Sequence, residues 1–242
     1  MAIQIAEILS VTHAQEILES RTFAETWSRL LKVVGSVQPP LRDAGPFTDT
    51  GRPKTPKRQV RSFGGQKKFC LFPIHQKQWN RDLDTALRDD GWDRQPFAIT
   101  GEGLGKLPTL LKGDFHKRGV FVEVEFGNAA SFHRDLFKFH IAGRSGSGSV
   151  GVAIVLLDRL ARFADQGLTT YEQARNLLPY IQISLGLPIA VVGITLDDFD
   201  PVRARYQEME EVASQKGVEC HPFDRVYGLD QVVELDESIS SD

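Results

Sequence analysis

The sequence predicts an α/β fold, a central mixed β-sheet flanked by helices. Three segments carry that expectation. Residues 120–126 alternate strictly between two faces, as a strand with two different environments does. Residues 152–157 (VAIVLL) and 188–195 (PIAVVGIT) are short apolar runs, the pattern of central strands covered on both sides. Helical stretches separate them, and such alternation of element types marks the α/β class.

Taken in order, residues 3–34 read as helical, with Ile5, Ile8, Leu9, Phe23, Trp27, Leu30, Leu31 and Val34 near helical spacing. Gly35 and Pro39-Pro40 end that block. Residues 35–68 show no period and are rich in Gly, Pro and Lys, so a long loop is expected. A helix is expected over His75–Asp90, closed by Gly91. Short strands and turns are expected over 97–112.

The segment Gly113–Asn128 holds the most information. Val120, Val122, Val124 and Phe126 form a core face, while Phe121, Glu123 and Glu125 point the other way. The i, i+2 rise sets the two glutamates about 7 Å apart on one face. Asp114 precedes a turn-like His-Lys-Arg-Gly stretch, so a hairpin can return it beside Glu123. A helix over Ala130–Ile141 and a Gly/Ser loop over Gly143–Gly151 follow. Thr169 and Thr170 stand three residues before Glu172 and Gln173, a capping-box pattern that opens a helix at Tyr171, with Gly186 at its end. There is no internal repeat, P-loop or GxGxxG.

At 242 residues, with 41% hydrophobic and 25% charged residues, the chain is expected to form one domain spanning 1–242 around a sizeable core. Cys70 and Cys220 are far apart and form no ligand pattern, which argues against a zinc module and a disulfide framework. The N-terminus lacks a signal-peptide pattern, and no apolar stretch approaches the roughly 20 residues of a membrane span. A soluble cytoplasmic protein with no membrane partner is the expectation. Net charge is −3, so no global nucleic-acid footprint exists. The charge is instead local. Residues 52–68 carry seven basic residues and no acidic one; 229–242 carry five acidic residues and no basic one, and a flexible tail is the expectation there. The basic run is either a solvated loop or an arm that engages phosphate.

Asp114, Glu123 and Glu125 are the candidate catalytic constellation. Three converging acids repel one another unless a cation sits between them. Oxygen-only ligands favour a hard ion such as Mg²⁺, which keeps several waters and meets substrate phosphate. Such a site activates water and stabilises phosphoryl-transfer charge. The alternative is a solvent-facing strand that happens to carry alternating glutamates.

The run DFHKRGVFVEVEFGN (114–128) resembles the active-site region of the BglII and BstYI restriction endonucleases, within the PD-(D/E)xK nuclease superfamily. There, as here, an Asp stands nine residues before the Glu of the catalytic strand. The similarity extends through Arg134–Lys138, Asp90–Trp92, Thr170–Ala174 and Pro188–Gly193 in the same order. It implies a PD-(D/E)xK restriction-endonuclease-like core and a type II enzyme. The implied reaction is Mg²⁺-dependent hydrolysis of double-stranded DNA at a palindrome, leaving 5′-phosphate ends. Asp114, Glu123 and the Val124 carbonyl would hold the metal. A homodimer is implied because two strands must be cut. Close relatives cut around GATC. One departure stands out: the family's third position is Gln, and here it is Glu125, similar to BamHI. Glu125 is therefore a base, a second-metal ligand or a water-positioning group.

The resemblance also points to base readout. Asn128 falls where relatives carry a base-contacting Asn, and an amide suits adenine N6/N7. Its alternative is a turn residue after Gly127. Thr169 and Thr170 lie at a second recognition loop, or simply cap a helix. Arg144, Ser145 and Ser147 either contact DNA or form a linker. Lys57, Arg58 and Arg61 are the phosphate-binding candidates of the basic run. A non-catalytic DNA-binding or assembly protein on the same fold remains the competing hypothesis.

Overall fold

The computed structural model describes residues 1–43, 60–63, 66–69, 71–96, 112–126, 129–165, 167–181 and 186–215. In chain order the elements are β1 (Ile3–Val11), α1 (Ala14–Glu19), α2 (Ala24–Ser36), β2 (Val60–Phe63), β3 (Gln66–Phe69), α3 (Gln76–Asp89) and β4 (Asp93–Arg94). There follow β5 (Phe115–Lys117), β6 (Val120–Val124), α4 (Ala129–Ser145), β7 (Val150–Leu156), α5 (Asp158–Ala161), α6 (Tyr171–Ile181), β8 (Ile189–Leu196) and α7 (Asp200–Gln215). Chain contacts separate these into two compact units. The first comprises 1–39, 76–161 and 167–198; the second comprises 40–75, 162–166 and 199–242.

The first unit is built on a six-stranded sheet in the order β1-β8-β7-β6-β5-β4. β6, β7 and β8 run parallel, and β1, β5 and β4 join antiparallel, so the sheet is mixed as the sequence predicts. Every residue of β7 and β8 is buried, which accounts for their unbroken apolar runs. One face packs Phe121, Ala153, Val155, Ile189 and Val191 against Phe132, Leu136 and Phe139 of α4 and against Ala174 and Leu178 of α6. α3 supplies Trp79, fully buried, whose ring centroid lies 4.8 Å from that of Phe126. Trp27 and Trp92 are buried in the core as well.

Several local expectations change. Residues 3–11 are a strand, not helix: β1 pairs with β8, and a register shift between Ile5 and Glu7 inserts one extra residue. That bulge breaks the two-residue period, so the apolar positions 3, 5, 6, 8, 9 and 11 imitate helical spacing. The expected loop over 35–68 contains the end of α2 and, in the second unit, the antiparallel pair β2–β3, with Arg61 opposite Lys68. α4 continues through Arg144 and Ser145, which the sequence placed in a Gly/Ser loop. α6 is described over Tyr171–Ile181, and residues 182–185, between it and the expected end at Gly186, lie outside the described residues. Gly91, with φ 81°, closes α3 as expected.

The capping box at α6 is present. The Gln173 N–H donates to Thr170 Oγ1, and the Thr170 N–H donates to Gln173 Oε1, each at 3.4 Å. Thr170→Ala is expected to cost about 1 kcal/mol of stability, a usual N-cap value, read as a fall in the urea midpoint. An unchanged midpoint would remove the capping role. Among the described residues no helix is long and apolar enough to cross a membrane.

Candidate active site

A two-residue hairpin loop builds the site. Lys117 pairs with Val120, and the loop residues Arg118 and Gly119 both have positive φ, 50° and 84°. That is the type I′ geometry whose twist matches a β-hairpin, and glycine at its second position adopts it without strain. His116 Nε2 accepts from the Gly119 N–H at 3.1 Å, so this histidine serves the turn. With Phe115 opposite Val122, the hairpin sets Asp114 across from Glu123. Asp114 Oδ2 accepts from the Val124 N–H at 2.9 Å.

The glutamate face of β6 lies beneath a helix and not toward water. Glu123 is 1% exposed and Glu125 5% exposed, alongside Phe121 at 1%. Both faces of the strand are therefore core, and the reading of a solvent-facing strand is excluded. Burial pushes the Glu123 carboxyl well above its ordinary range, and the charges of Asp114 and Asp135 push it further. Lys138 opposes that rise with its charge and a hydrogen bond. Burial also raises Asp114, offset in part by the Val124 N–H.

Lys138 and Asp135, on α4, are the residues that sequence reasoning passed over. Lys138 Nζ lies 2.8 Å from Glu123 Oε2 and 2.7 Å from Asp135 Oδ1. Burial alone would lower the lysine, but the two carboxylates outweigh it and its pKa is raised. The signal was an Asp-x-x-Lys pair set among Phe132, Leu136 and Phe139, all buried. A charged pair one turn apart on the apolar side of a helix seldom occurs without a partner below. No lysine follows Glu123 at the strand's third position, yet the fold delivers one from α4.

Beside Asp114 a cavity of about 300 Å³ is lined by Asn80, Arg81, Arg94, Gln95 and Val124 among others. Asn80 Oδ1 is buried there without a hydrogen-bond partner. Glu123 Oε1 is equally buried and unpartnered. A Cβ added to Gly113 would stand 3.0 Å from this oxygen, so Oε1 is aimed toward the chain that carries Asp114. Among the described residues no three His, Cys, Asp or Glu side chains already form a metal cage. Two carboxylates, one with an orphaned oxygen, and the adjoining main-chain carbonyl of Val124 are nevertheless a hard-donor set that fits Mg²⁺.

At neutral pH the Asp114 charge should burden the fold. A carboxyl raised in the folded state favours folding only while protonated, and its ionised form costs stability at higher pH. Asn keeps an acceptor for the Val124 N–H. Asp114→Asn is therefore expected to raise the thermal midpoint in EDTA at pH 7 by a few degrees, at about 2–4 °C per kcal/mol. The gain should shrink as pH falls toward 4. A lower midpoint at pH 7 would contradict this electrostatic assignment.

The remaining candidates are dispersed. Thr169 and Thr170 are buried at the start of α6. Arg144 is exposed in the last turn of α4. The Ser145 and Ser147 hydroxyls each donate to the Ala142 carbonyl at 3.2 Å, finishing that helix end. Arg61 lies in β2. Lys57, Arg58, Asn128, both cysteines and the acidic stretch 229–242 lie outside the described residues.

Comparison with known proteins shows the family. The family model "Restriction endonuclease BglII/BglIII" matches residues 6–194. Among solved structures, the chain is similar to restriction endonuclease BglII complexed with a DNA 16-mer. The two share 22% identity over 83% of this chain and 78% of that one, with a TM-score of 0.54. Free BglII also matches, at 22% identity over 83% and 82% of the two chains and a TM-score of 0.42. No curated protein sequence matches. With the family model covering more than three quarters of its length, the chain belongs to the BglII/BglIII family of restriction endonucleases, the type II site-specific deoxyribonucleases.

Proposed function

We propose that this enzyme hydrolyses double-stranded DNA at a palindromic site in a Mg²⁺-dependent reaction, acts as a homodimer and leaves 5′-phosphate ends. A GATC-containing palindrome is the first target to test. The observation that carries the reading is the pairing at the hairpin of a half-buried Asp114 with a fully buried Glu123 whose Oε1 has no hydrogen-bond partner and faces the Gly113–Asp114 chain. Such a pair of acids is a poor way to stabilise a core and a good way to hold a hard cation.

In this reading Asp114, Glu123 and the Val124 carbonyl hold Mg²⁺. When bound, the ion neutralises phosphate charge and lowers the pKa of water. Glu125, two residues along the same face, orients the attacking water. Arg81 and Arg94 line the cavity beside Asp114 and suit the adjoining phosphates. Asn128, Thr169, Thr170, Arg144 and Ser145 are proposed to meet the DNA. The basic run with Lys57, Arg58 and Arg61 contributes phosphate contacts, which would steepen salt dependence by about 0.9 in the log–log slope per contact.

The test is digestion of a plasmid bearing GATC-containing palindromes, in Mg²⁺ and in EDTA. Discrete fragments in Mg²⁺ alone support the reading. Specific binding with no cutting would favour the non-catalytic alternative.

A further inference from the structure

The geometry points to Lys138 and Asp135 as a positioning pair that turns the Glu123 carboxylate so that Oε1 faces the metal. The inference rests on Glu123 being a metal ligand, as proposed above. A glutamate on a strand can rotate its carboxylate freely unless something holds one oxygen. Here Lys138 Nζ holds Oε2 at 2.8 Å, and the opposite oxygen, Oε1, is left buried with no hydrogen-bond partner. Oε1 is directed to the Gly113–Asp114 side, where a Cβ on residue 113 would approach it to 3.0 Å. Lys138 is itself fixed, because Asp135 Oδ1 lies 2.7 Å from Nζ.

The three side chains are 1%, 5% and 3% exposed, so water cannot substitute for any contact. A buried ion pair is a weak source of stability, since desolvation offsets its Coulomb gain. Its place on an otherwise apolar helix face is explained by what it holds. Groups that orient a metal ligand commonly affect metal affinity by about 10–100-fold when removed. Neither Lys138 nor Asp135 would touch the ion. Lys138 acts through Glu123, and Asp135 acts through Lys138.

The experiment measures Ca²⁺ and Mg²⁺ binding calorimetrically to the full-length protein without DNA, together with thermal midpoints in EDTA. Asp135→Asn and Asp135→Ala remove the same charge, but Asn retains an acceptor for Lys138. Asp135→Asn is expected to bind metal within threefold of wild type, roughly, and Asp135→Ala at least tenfold more weakly. Lys138→Met is expected to match or exceed the weakening of Asp135→Ala. The metal-binding difference should exceed anything that the EDTA midpoints explain. Equal metal affinity in the two Asp135 variants would overturn the inference. So would a Lys138→Met protein that binds metal as tightly as wild type or more tightly, which would make the lysine a mere competitor of the ion. If Lys138→Met fails to fold, the Asp135 pair decides alone. Metal uptake by wild type with unchanged variants sinks only this inference; absence of uptake by all of them sinks the metal reading with it.

Discussion

Glu123→Ala is expected to reduce cleavage of a cognate plasmid by about 10³-fold or more, while specific DNA binding in Ca²⁺ is retained or strengthened. One preorganised electrostatic group alone is worth about 10²–10³ in rate, and Glu123 would supply both charge and geometry to the ion. Its removal takes negative charge away from the scissile phosphate, so binding should not suffer. The substitution also strips Lys138 of one of its two carboxylate partners, 2.8 Å away. A structural loss is therefore to be separated from a chemical one. Gel-shift affinity and the thermal midpoint, measured on the same preparation as single-turnover cleavage, make that separation. Cleavage near the wild-type rate would remove Glu123 from the reaction.

Gly143→Ala is expected to destabilise the protein by roughly 3 kcal/mol, the upper end for overpacking, or about 6–12 °C in midpoint at this size. The sign is the informative part. Gly143 lies within α4, where propensity alone favours Ala over Gly by about 1 kcal/mol. Here an added Cβ would overlap the Gly186 carbonyl oxygen and approach Leu187 Cβ to 2.6 Å. Gly186 returns the constraint, since its own Cβ would lie 2.6 Å from the His140 carbonyl oxygen. Backbone meets backbone, and neither can rotate away. Because α4 also carries Asp135 and Lys138, a shift of the helix should weaken metal binding as well. A midpoint that rises would show that the α4 contact relaxes easily.

Much of the fold and site was legible because strong local patterns coincide with tertiary roles. The strict alternation at 120–126 set the two glutamates on one face. The turn-forming His-Lys-Arg-Gly stretch set the hairpin that returns Asp114 to them, and the apolar runs of β7 and β8 declared central strands. What stayed hidden depended on non-local facts. β1 is held by pairing with β8, and its bulge scrambled the local period into a helical one. The burial of Glu123 and Glu125 depends on α4 packing across β6, which spacing along the strand does not report. Lys138 reaches Glu123 across fifteen residues of chain, so a search for lysine at the third strand position misses it. Arg144 and Ser145 looked like loop residues because Gly143 normally ends helices, whereas here it permits a close backbone approach inside one.

The most direct test of the account is the position of the ion. In crystals of the protein with non-cleavable cognate DNA and Mn²⁺, anomalous scattering should place a metal in contact with Asp114, Glu123 Oε1 and the Val124 carbonyl. The expected inner-sphere distance for a Mg²⁺-like ion is about 2.1 Å, with the scissile phosphate completing the shell and Lys138 still on Glu123 Oε2. A metal bound elsewhere in an enzyme that still cuts, or a cutting enzyme whose Asp114 and Glu123 carry no ion, would contradict it.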